Sequence, residues 1–213
     1  FVGMDYKPAF LEGKPYGEAV RWRLKTPLPL SVAKTTVAPA APDSAPRVVF
    51  AALDAGIAAE LEPRFAEAGH VVVSNSSALR MHPQVPLVVP EVNAGHLKLI
   101  ECQSWIKKSG GFVVTNPNCS AIGLVMALAP LQQRFGLEKI MVTTMQAVSG
   151  AGYPGVASLD ILGNVIPYIA REEEKMEEET RKLLGTLGTS EIQPGDFNIS
   201  AQCNRVAVED GHT

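Results

Sequence analysis

Residues 47–75 read RVVFAALDAGIAAELEPRFAEAGHVVVSN, which is the pattern of a strand, a helix and a second strand. The runs at 47–53 and 70–75 are short, apolar and β-branched, as buried strands are. Between them, residues 55–69 carry apolar side chains at helical spacing and end on a glycine. A helix joining two consecutive strands is the usual crossover between parallel strands, so this stretch predicts a parallel α/β sheet.

The neighbouring sequence extends this pattern on both sides. Further apolar runs at 86–89 and 112–115 predict two more strands, and residues 92–108 between them predict a helix. Residues 1–46 are rich in proline and poorly periodic, and they predict at most one strand, at 31–37.

The chain changes character after Asn116-Pro117-Asn118. The predicted elements beyond this point are a helix over 119–135, a long strand over 139–148, a charged helix over 171–181 and strands within 196–208. We therefore predict two domains, an α/β nucleotide-binding domain over 1–117 and an α+β catalytic domain over 118–213.

Composition excludes several classes of protein. The 213 residues are 46% hydrophobic and 19% charged, with a net charge of −3 and no basic block, which argues against a nucleic-acid partner. No apolar stretch approaches the ~20 residues that span a bilayer, so no membrane partner is expected. The three cysteines are far apart and form no CxxC pair, which predicts a reducing, cytoplasmic compartment and no metal site.

Cys119 and His212 are the first candidates for chemistry. Cys119 begins the predicted helix after Asn118, where the helix dipole and free N–H groups favour a thiolate and could stabilise an oxyanion. His212 lies in a polar, glycine-flanked segment and is the best candidate base. A small apolar residue at a helix start and a solvated loop histidine are the alternatives.

Three cationic side chains could bind anions. Arg205 lies in an apolar strand and needs an anionic partner, either a ligand carboxylate or an internal Asp or Glu. Arg80 follows a predicted strand end, where ligands of parallel sheets collect, although an exposed loop arginine would look the same. Lys175 lies among six glutamates, which by itself favours a solvated helix face.

Motifs in several separated segments resemble those of one enzyme family. They are NSSALRM (75–81), PLVVPEVN (86–93), TNPNCSAIGLVMALAPL (115–131), MVTTMQAVSGAGYPG (141–155), LGNVIPYI (162–169) and CNRVAVEDGHT (203–213). In order and spacing they resemble aspartate-semialdehyde dehydrogenases of the fungal and archaeal branch. The resemblance implies a Rossmann-like parallel-sheet domain followed by a catalytic and dimerisation domain with a mixed sheet.

The resemblance also assigns a role to individual residues. It implies that Cys119 is the nucleophile, His212 the general acid and base, and Gln146 the residue that orients the intermediate. The substrate-binding residues that it implies are Arg205 for the α-carboxylate, Glu172 for the α-ammonium with Glu173 as a competing alignment, and Lys175, Arg80 and Asn118 for phosphate. The cofactor-binding residues that it implies are Ser149, Gly150, Asn75, Ser76 and Lys14.

The implied reaction is the NADP-dependent reductive dephosphorylation of aspartyl 4-phosphate to aspartate 4-semialdehyde through a cysteine thioester. It serves lysine, threonine and methionine biosynthesis, and a homodimer or homotetramer is implied. The alternatives are an acyl reductase that resembles malonyl-coenzyme A reductase and a non-catalytic remnant of the family.

The sequence departs from the family in three places. The family's first strand and Gly-rich phosphate loop, and the elements that follow the GHT segment, have no counterpart, so we expect a fragment lacking both ends. The family's Ser-Ala-Gly-Lys loop for the adenosine 2′-phosphate aligns with Leu11-Glu12-Gly13-Lys14. Because only Gly13 and Lys14 match, NAD is the alternative to NADP.

Overall fold

The computed structural model describes residues 13–19, 26–152 and 155–211. The described helices are α1 (Tyr16–Ala19), α2 (Leu30–Ala33), α3 (Ala55–Glu67), α4 (Pro90–Asn93), α5 (Ser104–Ser109), α6 (Cys119–Phe135), α7 (Ser158–Ile161) and α8 (Glu172–Leu183). The described strands are β1 (Val48–Ala51), β2 (Val71–Ser74), β3 (Phe112–Thr115), β4 (Lys139–Gln146), β5 (Val165–Ile166), β6 (Thr186–Leu187), β7 (Ile192–Gln193) and β8 (Asn198–Val206).

The first sheet confirms the predicted parallel crossover. Strands β1, β2 and β3 are parallel and adjacent in this order, with Val49, Val72 and Val113 in register. Helix α3 joins β1 to β2, and its Phe65 and Ala66 pack with the buried valines of the sheet. The end of α3 lies so close to the start of β3 that only glycine fits at Gly111, where a Cβ would lie 2.1 Å from the Ala66 carbonyl oxygen.

The second sheet has the strand order β4-β8-β5, with β5 antiparallel to β8, and β6 and β7 form a separate antiparallel pair. Val125 of α6 packs with Met176 and Leu183 of α8, all of them at most 1% exposed. The charged helix α8 is therefore buried along one face, whereas its charge pattern alone favours a surface helix.

Two glutamates of α8 bind the backbone of β8. Glu173 Oε1 accepts from Cys203 N at 3.0 Å, and Glu177 Oε1 accepts from Ala201 N at 3.0 Å. The two glutamates are four residues apart on the helix, which is about 6 Å at a rise of about 1.5 Å per residue. Their partners are two residues apart on the strand, which is about 6.6 Å at about 3.3 Å per residue, so the two spacings match. These carboxylates satisfy strand N–H groups that a neighbouring strand would otherwise bind.

Some predicted elements are different in the structure. Residues 31–37 form helix α2 and an isolated bridge at Thr36 instead of a strand, and 86–89 forms only a bridge from Leu87 to Thr115. Residues 92–108 are divided among α4, a 3-10 segment and α5, with an extended residue at Gln103. The buried Gln103 amide causes this break, since it donates to Val113 O at 2.8 Å and accepts from Val113 N at 2.9 Å.

The chain divides into two compact units. The first unit holds the described residues within 1–40, 145–168 and 204–213, and the second holds 41–144 and 169–203. The division into family domains at residue 117 stays a prediction. In the described segments, no helix combines the length and the apolar character needed to cross a membrane.

Candidate active site

Cys119 is the first residue of the 17-residue helix α6, and its side chain is exposed. Asn118 caps this helix, since its Oδ1 accepts from Ser120 N at 2.8 Å and from Ala121 N at 3.4 Å. The other cysteines are less accessible, because Cys203 is 0% exposed and the half-buried Cys102 donates its Sγ–H to Thr189 O. The cysteine predicted to react is thus the exposed one, at a helix N-terminus.

Two buried carboxylates of α8 bind Asn118, the residue before Cys119. Glu179 Oε2 accepts from Asn118 N at 2.5 Å, and Glu172 Oε1 accepts from Asn118 Nδ2. Lys175 Nζ lies 3.4 Å from Glu172 Oε2, one turn further along the helix. Helix α8 therefore brings Glu172 and Lys175 to the N-terminus of α6, while Glu173 faces β8.

Arg80 joins the same network through Glu179. Its Nη1 lies 2.9 Å from Glu179 Oε1, and its Nη2 donates to Asn75 O at 2.8 Å. Burial raises the pKa of Glu179, and the Arg80 guanidinium and the Asn118 N–H oppose this rise. Sequence reasoning missed Glu179, although its spacing of seven residues from Glu172 places both on one helix face.

Lys182 is a second residue that sequence reasoning missed. Its Nζ donates to three backbone carbonyls, Arg80 O at 2.6 Å, His82 O at 2.8 Å and Val85 O at 2.9 Å. Burial lowers the pKa of Lys182 to about 8, and Glu179 opposes this change. Lys182 thereby fixes the segment that carries Arg80 against α8.

The first unit gathers another group of predicted residues. Gln146, the last residue of β4, is 2% exposed, and the buried Arg205 donates from Nη1 to Ala147 O at 2.7 Å. The turn that contains Ser149 and Gly150 is bonded to residues 208–211 through Ala147 N, Val148 N and Ser149 N. His212 follows this segment but lies outside the described residues, so its predicted pairing with Cys119 stays a prediction.

The predicted cofactor residues lie in both units. Asn75 is exposed directly after β2, and the adjacent Ser76 is buried, with its Oγ accepting from Ala78 N at 3.3 Å. In the first unit, Ser149, Gly150 and Lys14 are exposed. Exposed amide, hydroxyl and ammonium groups fit the carboxamide and phosphates of a nicotinamide dinucleotide. Within the described part of the chain, no group of three His, Cys, Asp or Glu side chains could hold a metal ion.

Comparisons with known proteins agree with one another. The family model described as semialdehyde dehydrogenase, NAD binding domain, matches residues 9–100, and the model described as semialdehyde dehydrogenase, dimerisation domain, matches residues 128–213.

Similar curated proteins come from archaea and fungi. Aspartate-semialdehyde dehydrogenase of Archaeoglobus fulgidus is 52% identical over 202 residues, which cover 94% of this chain and 59% of that protein. The enzyme of Schizosaccharomyces pombe is 46% identical over 206 residues, covering 94% of this chain and 58% of that protein. The chain thus spans less than two thirds of the length of these relatives.

The fold is similar to that of a solved structure. Aspartate semialdehyde dehydrogenase from Candida albicans, crystallised with NADP, superposes with a TM-score of 0.86 at 40% identity, covering 96% of this chain and 60% of that chain. This agreement in fold and the two family models confirm the α/β architecture and the resemblance drawn from the motifs. The chain therefore belongs to the semialdehyde dehydrogenase family of oxidoreductases.

Proposed function

We propose that this chain carries the active site of a phosphorylating, NADP-dependent aspartate-semialdehyde dehydrogenase of lysine, threonine and methionine biosynthesis. The observation that carries the proposal is Cys119, exposed at the start of α6 beside an asparagine that two buried carboxylates bind. The identity with relatives of that name supports the reaction, and the match to a dimerisation domain supports a homodimer or homotetramer. A cytoplasmic location remains part of the proposal.

In the biosynthetic direction, the Cys119 thiolate attacks the acyl carbon of aspartyl 4-phosphate. The bond from carbon to the phosphate oxygen breaks, inorganic phosphate leaves, and a thioester forms on Cys119. The chemistry that a bound nicotinamide dinucleotide supplies is hydride transfer to the thioester carbon. The carbon–sulfur bond of the resulting thiohemiacetal then breaks, which releases the aldehyde and regenerates the thiolate.

The remaining residues bind the substrate and move protons. His212 gives a proton to the hemiacetal oxygen and takes it back when the carbon–sulfur bond breaks, and Gln146 orients this intermediate. Arg205 binds the α-carboxylate. Lys175, Arg80 and Asn118 bind the phosphate.

Glu172 is the residue that we propose for the α-ammonium. It is 8% exposed beside Asn118, whereas Glu173 is engaged with the backbone of β8. A carboxylate at this position suits the α-ammonium of an amino-acid substrate, whereas a malonyl thioester carries no ammonium group for it to bind, which disfavours the acyl reductase alternative.

The residues that would hold the dinucleotide are Ser149, Gly150, Asn75, Ser76 and Lys14. Lys14, exposed in the loop that aligns with the family's 2′-phosphate segment, supports NADP over NAD.

The test is phosphate-dependent reduction of NADP, and of NAD in parallel, by the purified chain with aspartate semialdehyde. We expect turnover that is faster with NADP, is lost in Cys119→Ala and is retained in Cys102→Ala. Iodoacetamide should label Cys119 far faster than Cys102 or Cys203, because Cys119 is the exposed one of the three cysteines. Equally slow labelling with no turnover would favour a non-catalytic remnant of the family.

A further inference from the structure

A cavity of about 500 Å³ lies beside the Glu179 network, inside the second unit. The charged side chains on its wall are Arg80, Arg171, Lys175, Glu178 and Glu179, and Ser77 adds a hydroxyl. Three cations therefore face two carboxylates, which favours an anionic ligand.

Arg80 has an unused donor at this wall. It is 8% exposed, and its Nη1 and Nη2 are bound by Glu179 and by Asn75 O. Its Nε is buried and has no hydrogen-bond partner among the described residues. A buried donor left unsatisfied is unfavourable, and an oxygen of a ligand in the cavity would satisfy it.

Arg171 has an unusual backbone conformation for its residue type. It precedes α8 as the N-cap with φ 62° and ψ 9°, and among the described residues every other positive φ belongs to a glycine. This left-handed conformation is unfavourable for a side chain with a Cβ, and such residues concentrate at functional sites. The conformation coincides with the placement of an arginine side chain on the cavity wall.

Arg80 and Lys175 each lie beside a carboxylate of α8. Glu179 binds Arg80 at 2.9 Å, and Glu172 lies 3.4 Å from Lys175. Arg171 is exposed and adds a third positive charge to the same cavity wall.

We propose that Arg171 is a specificity-determining residue that binds the phosphate of the substrate or product in this cavity, together with Arg80 and Lys175. The inference rests on the proposed function, because that reaction is what brings an acyl phosphate or inorganic phosphate to the site. The same chemistry could come from the 2′-phosphate of the cofactor, which the test distinguishes.

The test is the affinity of the whole chain for inorganic phosphate, measured by calorimetry in the wild type and in Arg171→Gly. Glycine accepts the left-handed backbone, so the variant should be at least as stable as the wild type. We expect its dissociation constant for phosphate to rise about fivefold, as for one exposed charge contact. Arg171→Lys, which keeps the charge, should restore most of the affinity, and Arg134→Gln, at the far end of α6, should leave it unchanged.

An unchanged affinity in Arg171→Gly, or no phosphate binding by the wild type, would overturn the role of Arg171. A loss of affinity for NADP but not for NAD, with phosphate binding unchanged, would overturn it in favour of the cofactor phosphate. Because calorimetry needs no turnover, a chain that binds phosphate through Arg171 but does not reduce NADP would contradict the proposed reaction alone.

Discussion

Glu179 joins a cation to the backbone beside Cys119. It is 2% exposed, and its two oxygens bind Arg80 Nη1 and Asn118 N. The Glu179→Gln side chain has nearly the same volume, but its amide has only one oxygen to accept a hydrogen bond. Its NH₂ group would face the other donor, either Arg80 Nη1 or Asn118 N. Removing one partner of a buried ion pair should therefore lower the free energy of unfolding by about 3 kcal/mol, measured by urea denaturation.

The matched control is Glu174→Gln, an exposed glutamate in the first turn of the same helix. Its effect should stay within about 0.5 kcal/mol. If both variants were equally stable, the carboxylate of Glu179 would not contribute to the packing of α6 and α8.

At the scale of elements, Lys182 attaches α8 to the segment 80–85. Three carbonyl oxygens accept from its Nζ, and the Lys182→Met side chain could bind none of them. We expect Lys182→Met to lower the free energy of unfolding by about 2 kcal/mol, because buried carbonyls would lose their donor. Lys108→Met, an exposed lysine of α5, is the control and should be neutral in the same urea titration.

The elements that depend on local signals were predictable from sequence. The sequence indicates helix α6 by Asn118 at its start, by its apolar periodicity and by Gly136 at its end, and the structure agrees with all three signals. The break at Gln103 was not predictable, because it depends on a bond to Val113 in a strand ten residues away. The site residues divide in the same way, into those indicated by local sequence signals and those that depend on distant contacts.

Cys119 was predicted from its place at a helix start. The partners of Glu179 lie 99 and 61 positions away in the sequence, and those of Lys182 lie 97 to 102 positions away. Helical spacing can indicate which residues share a face but not what that face touches.

For the whole molecule, buried ionisable groups should make stability depend on pH. Burial lowers the pKa of His96 and of His82, and Lys182 adds to both shifts. A histidine with a lowered pKa contributes stability above its unfolded value of 6.5, and that contribution is lost as pH falls below it. Burial raises the pKa of Glu62 and Glu179. The stability that these two groups contribute is therefore present below pH 4.5 and is lost as the pH rises above it.

His96 can be separated from these other groups, because its hydrogen bonds require the neutral ring. Asn93 Nδ2 donates to its Nδ1 at 2.9 Å, which leaves Nε2–H to donate to Gly185 O at 3.3 Å. A proton on Nδ1 would face the Asn93 NH₂ group. We therefore expect the free energy of unfolding to fall more steeply in the wild type than in His96→Gln as the pH is lowered from 6.5 to 5. The difference between the two slopes should be up to about 1.4 kcal/mol per pH unit. Urea titrations across this range measure both slopes, and equal slopes would show that His96 is protonated as readily in the folded chain as in the unfolded one.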